Sequence, residues 1–108
     1  MRFRLGDVVL IAFPFSNLGE AKKRPALVLL DTGDDDLVVA RVTGQPHNTR
    51  WDVEINGWHA AGLLMPSFVR LHKLATVQKV LVDRRLGTFA PDDLSAVRAR
   101  LSEIWAGV

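Results

Sequence analysis

The 108-residue chain contains no cysteine and no tyrosine, and aromatic residues make up only 7% of it. The absence of cysteine excludes disulfides and thiolate-ligated metals, and it fits a protein of the reducing cytoplasm. The absence of tyrosine means that no phenol can serve as a general acid or base. The three tryptophans are too sparse to form an evident stacking platform for nucleic-acid bases.

Long apolar runs are missing as well, since none approaches the roughly 20 residues that span a bilayer. The N-terminus carries Arg2 and Arg4 without a following apolar segment and cleavage site, so we expect no signal peptide. We therefore expect a cytoplasmic protein without membrane contact, in which residues 1–108 form a single domain. The net charge of +2 says little about partners, but the bases cluster, at 22–24 and at Arg84–Arg85.

Short runs of β-branched and apolar residues bounded by Gly, Pro, Asn and Asp predict about six strands, followed by one helix. This order indicates a mainly β fold, a strongly bent antiparallel sheet or small barrel with a C-terminal helix on it. The strand segments are 6–13, 24–31, 37–45, 51–55, 67–74 and 80–89.

The third strand, 37–45, shows which of its faces is buried. Alternation places Val38, Ala40 and Val42 towards the interior, while the other face ends in Arg41 and Thr43 and should meet solvent. The same rule, applied to "WDVEI", directs Asp52 and Glu54 outward.

The C-terminal segment has the signals of a helix start. Pro91 suits the first helical position, and Phe89 and Leu94 are spaced as a hydrophobic staple. Ala90 is a poor N-cap. Trp105 falls on the apolar stripe of this helix and is predicted to contact the core or a second subunit.

A cluster of cations stands at the beginning of the second strand. It consists of Lys22, Lys23 and Arg24, which precede Pro25 and the apolar run "ALVLL". We expect this apolar run to be buried. An arginine fixed at a strand end is a planar, permanently charged donor that suits a phosphate. The cluster therefore predicts a site for an anionic ligand.

Five segments together resemble a known family. "GDVVLIAFPF", "KKRPALVLL", "VVARVTGQ", "GLLMPSFVRLHKL" and "RRLGTFAPDDL" are similar, in this order, to segments of the MazF/PemK toxins of type II toxin–antitoxin systems. The resemblance implies an SH3-like barrel with a C-terminal helix, a homodimer, and a cognate antitoxin as partner. It also implies a metal-independent endoribonuclease that cleaves single-stranded RNA without a cofactor.

The resemblance assigns candidate catalytic residues by position. The family's catalytic arginine corresponds to Arg24 and its strand-end hydroxyl residue to Thr43. The loop that covers the site corresponds to 14–23, in which Glu20 lies near the place of a functional glutamate in some members. His47, just beyond the Thr43 strand end, is the other candidate for a general base.

Further residues are candidates for contact with RNA. They share a position in the covering loop, in the basic cluster or at the end of the third strand: Phe15, Asn17, Lys22, Lys23, Arg41 and Gln45. Lysines here would attract phosphates independently of sequence. No spacing of histidines or acids suggests a metal site.

Two other functions remain open. The gyrase poisons of the CcdB type share this fold class and act by protein contact, which would depend on the C-terminal helix around Leu101 to Trp105. A degenerate toxin that only binds RNA or an antitoxin is the other alternative.

Overall fold

The computed structural model describes residues 2–12 and 22–108 of the chain. These described residues form six strands, a short 3₁₀ turn and one helix. Their bounds are β1 Asp7–Ala12, β2 Lys23–Asp31, β3 Asp36–Thr43, β4 Asp52–Ile55, β5 Ser67–Gln78, the turn Lys79–Leu81, β6 Val82–Thr88 and α1 Pro91–Ala106.

The six strands form one antiparallel sheet in the order β4-β5-β3-β2-β1-β6. The predicted β class, antiparallel sheet and terminal helix are confirmed. The sheet is not closed, because β4 and β6 form its two edges. Four register shifts interrupt the ladders, in the pairs β1–β6, β2–β3 and β3–β5. Such irregularities sharpen local twist and bending.

Both faces of the central strands are buried, in two separate clusters. One contains Ala40 and Val42 with side chains of β1, β2, β4, β5 and the helix. The other contains Leu37 and Val39, each only 1% exposed, with side chains of β1 and β2. The prediction that Val38, Ala40 and Val42 form the interior face is thus incomplete. The opposite face is equally buried until it reaches Arg41.

The helix covers the first cluster. Val97 is fully buried, and Leu94, Leu101 and Ile104 pack against the same cluster. Trp105 is 66% exposed and so does not belong to the core of this chain, while the alternative, contact with a second subunit, stays a prediction. In the last turn of the helix, Ile104 faces the first cluster and the adjacent Trp105 faces solvent.

The start of the helix is anchored by a carboxylate that serves a neighbouring loop. Ala90 provides no side-chain cap, as predicted. Asp93 is buried and accepts hydrogen bonds from the backbone N–H groups of Asn56 (3.0 Å) and Gly57 (2.8 Å). The helix and the segment that follows β4 are therefore joined by charge-assisted hydrogen bonds.

A second carboxylate fixes the N-terminal residues to the sheet. Asp31 accepts from the backbone N–H of Phe3 at 2.9 Å and forms a 2.8 Å ion pair with Lys79. The Lys79 ammonium, together with the N–H groups of Phe3 and Gly33, holds the pKa of Asp31 well below its ordinary value of 3.8. This interaction ties the segment before β1 to the end of β2 and to the turn before β6.

Two glycines with positive φ offer a direct test of how closely the segment after β4 packs on β6. Gly62 (φ 77°) would place a Cβ 2.1 Å from the Leu86 carbonyl oxygen, whereas Gly33 (φ 86°) has nothing within 4 Å. We expect Gly33→Ala to cost about 1–2 kcal/mol for the left-handed backbone alone. Gly62→Ala should cost about 3–5 kcal/mol, because backbone must also move. Urea unfolding of both variants measures the difference, and equal losses would contradict this packing.

Candidate functional site

An open cavity of about 440 Å³ lies where β2 begins and β3 ends. Its walls come from β1, β2, β3, β5, β6 and the segment before β5. The residues that line it are Leu10, Arg24, Pro25, Arg41, Val42, Thr43, Gly44, Gly62, Leu63, Leu64, Met65, Ser67, Arg84 and Leu86. Three of the predicted site residues, Arg24, Arg41 and Thr43, are therefore brought together.

The strand register places Arg24 and Thr43 just beyond one end of the β2–β3 ladder. This ladder ends at the pair Ala26–Arg41, and Arg24 and Thr43 each lie two residues beyond that pair. Residues directly opposite in an antiparallel pair project from the same face. Arg24, Arg41 and Thr43 thus share one face, as predicted for the latter two.

The Thr43 hydroxyl is oriented by the backbone that follows it. Its oxygen accepts a 3.2 Å hydrogen bond from the backbone N–H of Gln45. Accepting this bond leaves the hydroxyl proton available for donation. Thr43 can therefore donate to an oxygen of a ligand in the cavity.

Three guanidinium groups, those of Arg24, Arg41 and Arg84, belong to residues that line the cavity. All three residues are exposed. Within residues 2–12 and 22–108, none of them forms an ion pair with an acidic side chain. An open cavity with three such cations favours a ligand that carries several negative charges.

Arg41 has a second arginine beside it on the neighbouring strand. Arg70 of β5 lies directly opposite Arg41, and Asp52 of β4 lies opposite Arg70 on its other side. Like charges in opposite positions repel. Asp52 relieves this repulsion, because its carboxylate pairs with Arg70 at 2.9 Å. Within residues 2–12 and 22–108, Arg41 is consequently the arginine of this row that has no ion pair.

The Asp52–Arg70 pair is largely buried, with 4% and 12% of the side chains exposed. Asp52 lies on the outward face of β4, as predicted, but its pairing with Arg70 shields it from solvent there. Burial alone would raise the pKa of Asp52, but the hydrogen bonds from Thr49 and Arg70 outweigh it and lower the pKa. Asp52 is therefore a carboxylate at neutral pH, and its charge is neutralised locally.

His72 adjoins this pair. Its Nε2 lies 3.3 Å from an Nη of Arg70. Burial lowers the pKa of His72 below the ordinary 6.5, and the positive charge of Arg70 lowers it further. The lowered pKa favours the neutral imidazole, whose Nε2 accepts a hydrogen bond from the Arg70 N–H in the tautomer protonated on Nδ1.

One wall of the cavity is apolar. Met65 packs against Gly44, where even a single added Cβ would lie 2.5 Å from the Met65 sulfur. Leu63 is buried in the first cluster, whereas Leu64 is 93% exposed. The wall provides hydrocarbon surface beside the guanidinium groups, a combination that suits a ligand with both phosphates and planar bases.

The remaining predicted site residues lie outside the cavity lining. Lys23 forms a 3.4 Å ion pair with Asp83, and Lys22 is exposed. Gln45 and His47 are exposed in the segment after β3. The other three, Glu20, Phe15 and Asn17, fall outside the residues that the structure describes, as does most of the predicted covering loop.

Sequence reasoning missed Arg84 and the Asp52–Arg70–His72 group. The pair Arg84–Arg85 was visible as a basic cluster, but only the β1–β6 register shows that Arg84 reaches the cavity. In the described part of the chain, no three potential ligands of a metal ion lie together. No helix there is long and apolar enough to cross a bilayer.

A family model matches residues 4–105, nearly the whole chain. It describes the PemK-like, MazF-like toxin of type II toxin–antitoxin systems. The chain belongs to this family. The resemblance found in the sequence motifs is therefore confirmed. A comparison with curated proteins finds no match.

Solved structures of the same family share the fold at low sequence identity. An endoribonuclease in complex with its cognate antitoxin, from a mycobacterial species, has a TM-score of 0.77 at 16% identity, covering 97% of this chain and 96% of the other. The Mycobacterium tuberculosis toxin MazF-mt6 has 0.75 at 17%, covering 93% and 96%. A MazE–MazF structure from Deinococcus radiodurans has 0.76 at 19%, covering 97% and 96%.

The His72 environment can be tested by NMR titration of its ring protons. We expect a midpoint below 6.5, and we expect Arg70→Gln to raise it because the adjacent positive charge is removed. Lys73→Gln is the matched control, since Lys73 has a smaller effect in the same direction and should produce a smaller rise. A midpoint that does not move in Arg70→Gln would show that the Arg70 contact is absent in solution.

Proposed function

We propose that this toxin is an endoribonuclease that cleaves single-stranded RNA. The observation that carries the proposal is the open cavity lined by both Arg24 and Thr43, which stand on adjacent strands. Family membership supports it. So does the shared fold with a mycobacterial protein that is itself an endoribonuclease.

The proposed reaction uses the RNA's own 2′-hydroxyl as the nucleophile. Its oxygen forms a bond to the adjacent phosphorus while the bond from phosphorus to the 5′-oxygen breaks. The products are a 2′,3′-cyclic phosphate and a 5′-hydroxyl. The 2′-hydroxyl loses its proton, and the departing 5′-oxygen receives one. Because the nucleophile belongs to the RNA itself, the reaction needs no external nucleophile.

Arg24 has the chemistry to stabilise the phosphoryl oxygens as negative charge grows on them. Donors held in place before the reaction are most effective where charge develops in the transition state. Arg24 is rooted in β2 next to Pro25, whose ring restricts the backbone that carries the guanidinium. Its planar donor set can contact two phosphoryl oxygens together.

Thr43 would donate its remaining hydroxyl proton to the same phosphate, since the Gln45 N–H already occupies its acceptor side. The general base is not assigned to either candidate. Glu20 lies in the part of the chain that the structure does not describe, and His47 is exposed beyond the cavity lining. The proposal accordingly gives Arg24 and Thr43 the stabilisation and positioning of the phosphate only.

Two protein partners are proposed for this toxin. A cognate antitoxin is the partner expected of a type II toxin. A homodimer is also proposed, and it is supported by Leu30 and Leu74, two exposed apolar residues on one face of the sheet. Activity would be cytoplasmic, where messenger RNA is translated, and independent of metal ions.

The proposal predicts cleavage of a long single-stranded RNA by the purified protein in EDTA. Arg24→Ala should lower the cleavage rate by about 10²- to 10³-fold, because transition-state charge is no longer neutralised. Thr43→Val preserves the shape of the side chain and should lower the rate by about threefold to tenfold. End-group analysis of the products should show cyclic phosphates.

Trp105→Ala separates this function from a gyrase-poison function. Trp105 is exposed on the helix, distant in sequence from the cavity residues, so its removal should leave RNA cleavage unchanged. A protein acting through its C-terminal helix would instead lose toxicity in this variant and retain it in Arg24→Ala. Equal RNA cleavage by Arg24→Ala and the parent would contradict the enzymatic proposal.

A further inference from the structure

Three consecutive charged residues of β6 differ in the contacts that their side chains make. Asp83 pairs with Lys23 at 3.4 Å. Arg85 pairs with Asp7 at 3.2 Å, donates to the Arg2 carbonyl at 3.0 Å and lies over the Phe3 ring. Arg84, between them, makes no ion pair or side-chain hydrogen bond within the described ranges 2–12 and 22–108. Its two neighbours hold β6 in place, whereas Arg84 makes no such contact with the described part of the chain.

The strand pairing directs Arg84 to the cavity. It lies opposite Leu10 of β1, and Leu10 lies opposite Pro25 of β2. All three residues line the cavity and project from one face of the sheet, whereas Arg24, opposite Ile11 of β1, projects from the other face. Neighbouring strands are about 4.8 Å apart, so Arg84 is rooted roughly 10 Å from the strand that carries Arg24.

The two side chains leave the sheet from opposite faces, so their guanidinium groups approach the cavity from different sides. Arg24 and Arg84 would therefore engage different phosphates of one strand, with the cavity floor of Leu10 and Pro25 between them. Arginine suits this role because its guanidinium donates two parallel hydrogen bonds to a phosphate and stays charged at any physiological pH.

We propose that Arg84 binds a second phosphate of the RNA, adjacent in the strand to the one that is cleaved. This inference rests on the proposed function in taking RNA as the ligand. Arg84 would hold the strand across the cavity and would take no part in the chemistry. Its loss should therefore weaken binding and raise KM, with little change in kcat.

The test measures binding of a fluorescein-labelled, mixed-sequence 2′-O-methyl oligonucleotide, which lacks the nucleophile and cannot be cleaved. Anisotropy titrations between about 50 and 200 mM salt give the slope of log K against log salt. For Arg84→Ala we expect binding about threefold to tenfold weaker. The slope should be shallower by about 0.7, the contribution of one phosphate contact on a single strand.

Two variants serve as controls. Arg98→Ala removes the same charge from an exposed position on the helix, outside the cavity lining, and should keep the parent slope. Arg84→Lys keeps the charge and should restore the slope while recovering only part of the affinity, because a lysine cannot donate in a bidentate manner.

The outcomes separate this inference from the proposed function. If Arg84→Ala and Arg98→Ala show the same slope as the parent, or if the parent binds no oligonucleotide, the second phosphate site is ruled out. If the parent binds but never cleaves unmodified RNA, the nuclease function fails, while a shallower slope in Arg84→Ala still supports the phosphate contact.

Discussion

Burial of β2 on both of its faces is the constraint on which the site depends. Ala26, Leu27 and Val28 are consecutive and fully buried, and they alternate between the two apolar clusters. A slip of one residue would send each side chain to the opposite cluster, so the register with β3 is strongly specified. That register places Arg24 and Thr43 just beyond one end of the same ladder. The positions of the two polar groups are therefore determined by hydrophobic packing several residues away.

Acidic residues are distributed so that the cations of the cavity remain available. Asp7 pairs with Arg85, Asp31 with Lys79 and Asp52 with Arg70, and all three carboxylates are nearly inaccessible to solvent. Each of these pairs connects separate segments of the sheet. Because the acids are engaged elsewhere, the positive potential at the cavity is not cancelled by neighbouring carboxylates in the described part of the chain. The same ion pairs thus join segments of the sheet and preserve the preference of the cavity for negatively charged ligands.

Local sequence patterns predicted the strands, the helix and the clustering of Arg24, Arg41 and Thr43. They did so because alternation, helix-start signals and the family motifs are properties of short segments. They missed what depends on a partner that is distant in sequence. Local sequence places Asp52 on the outward face of its strand but does not show that Arg70 of β5 shields it there. It likewise shows Arg84 as a charged residue but not that β6 pairs with β1 beside the cavity. Trp105 fits the helical stripe, but in the structure it is exposed on the last turn of the helix.

The open sheet leaves two edge strands, β4 and β6, whose unpaired backbone groups could template association with another chain. The four residues of β4 offer little length for such pairing. The longer edge, β6, carries Asp83, Arg84 and Arg85 in succession, and charges at an edge oppose strand addition. A side chain that recognises a ligand would then also protect the protein from self-aggregation. Natural variation at this edge would be restricted by solubility as much as by recognition.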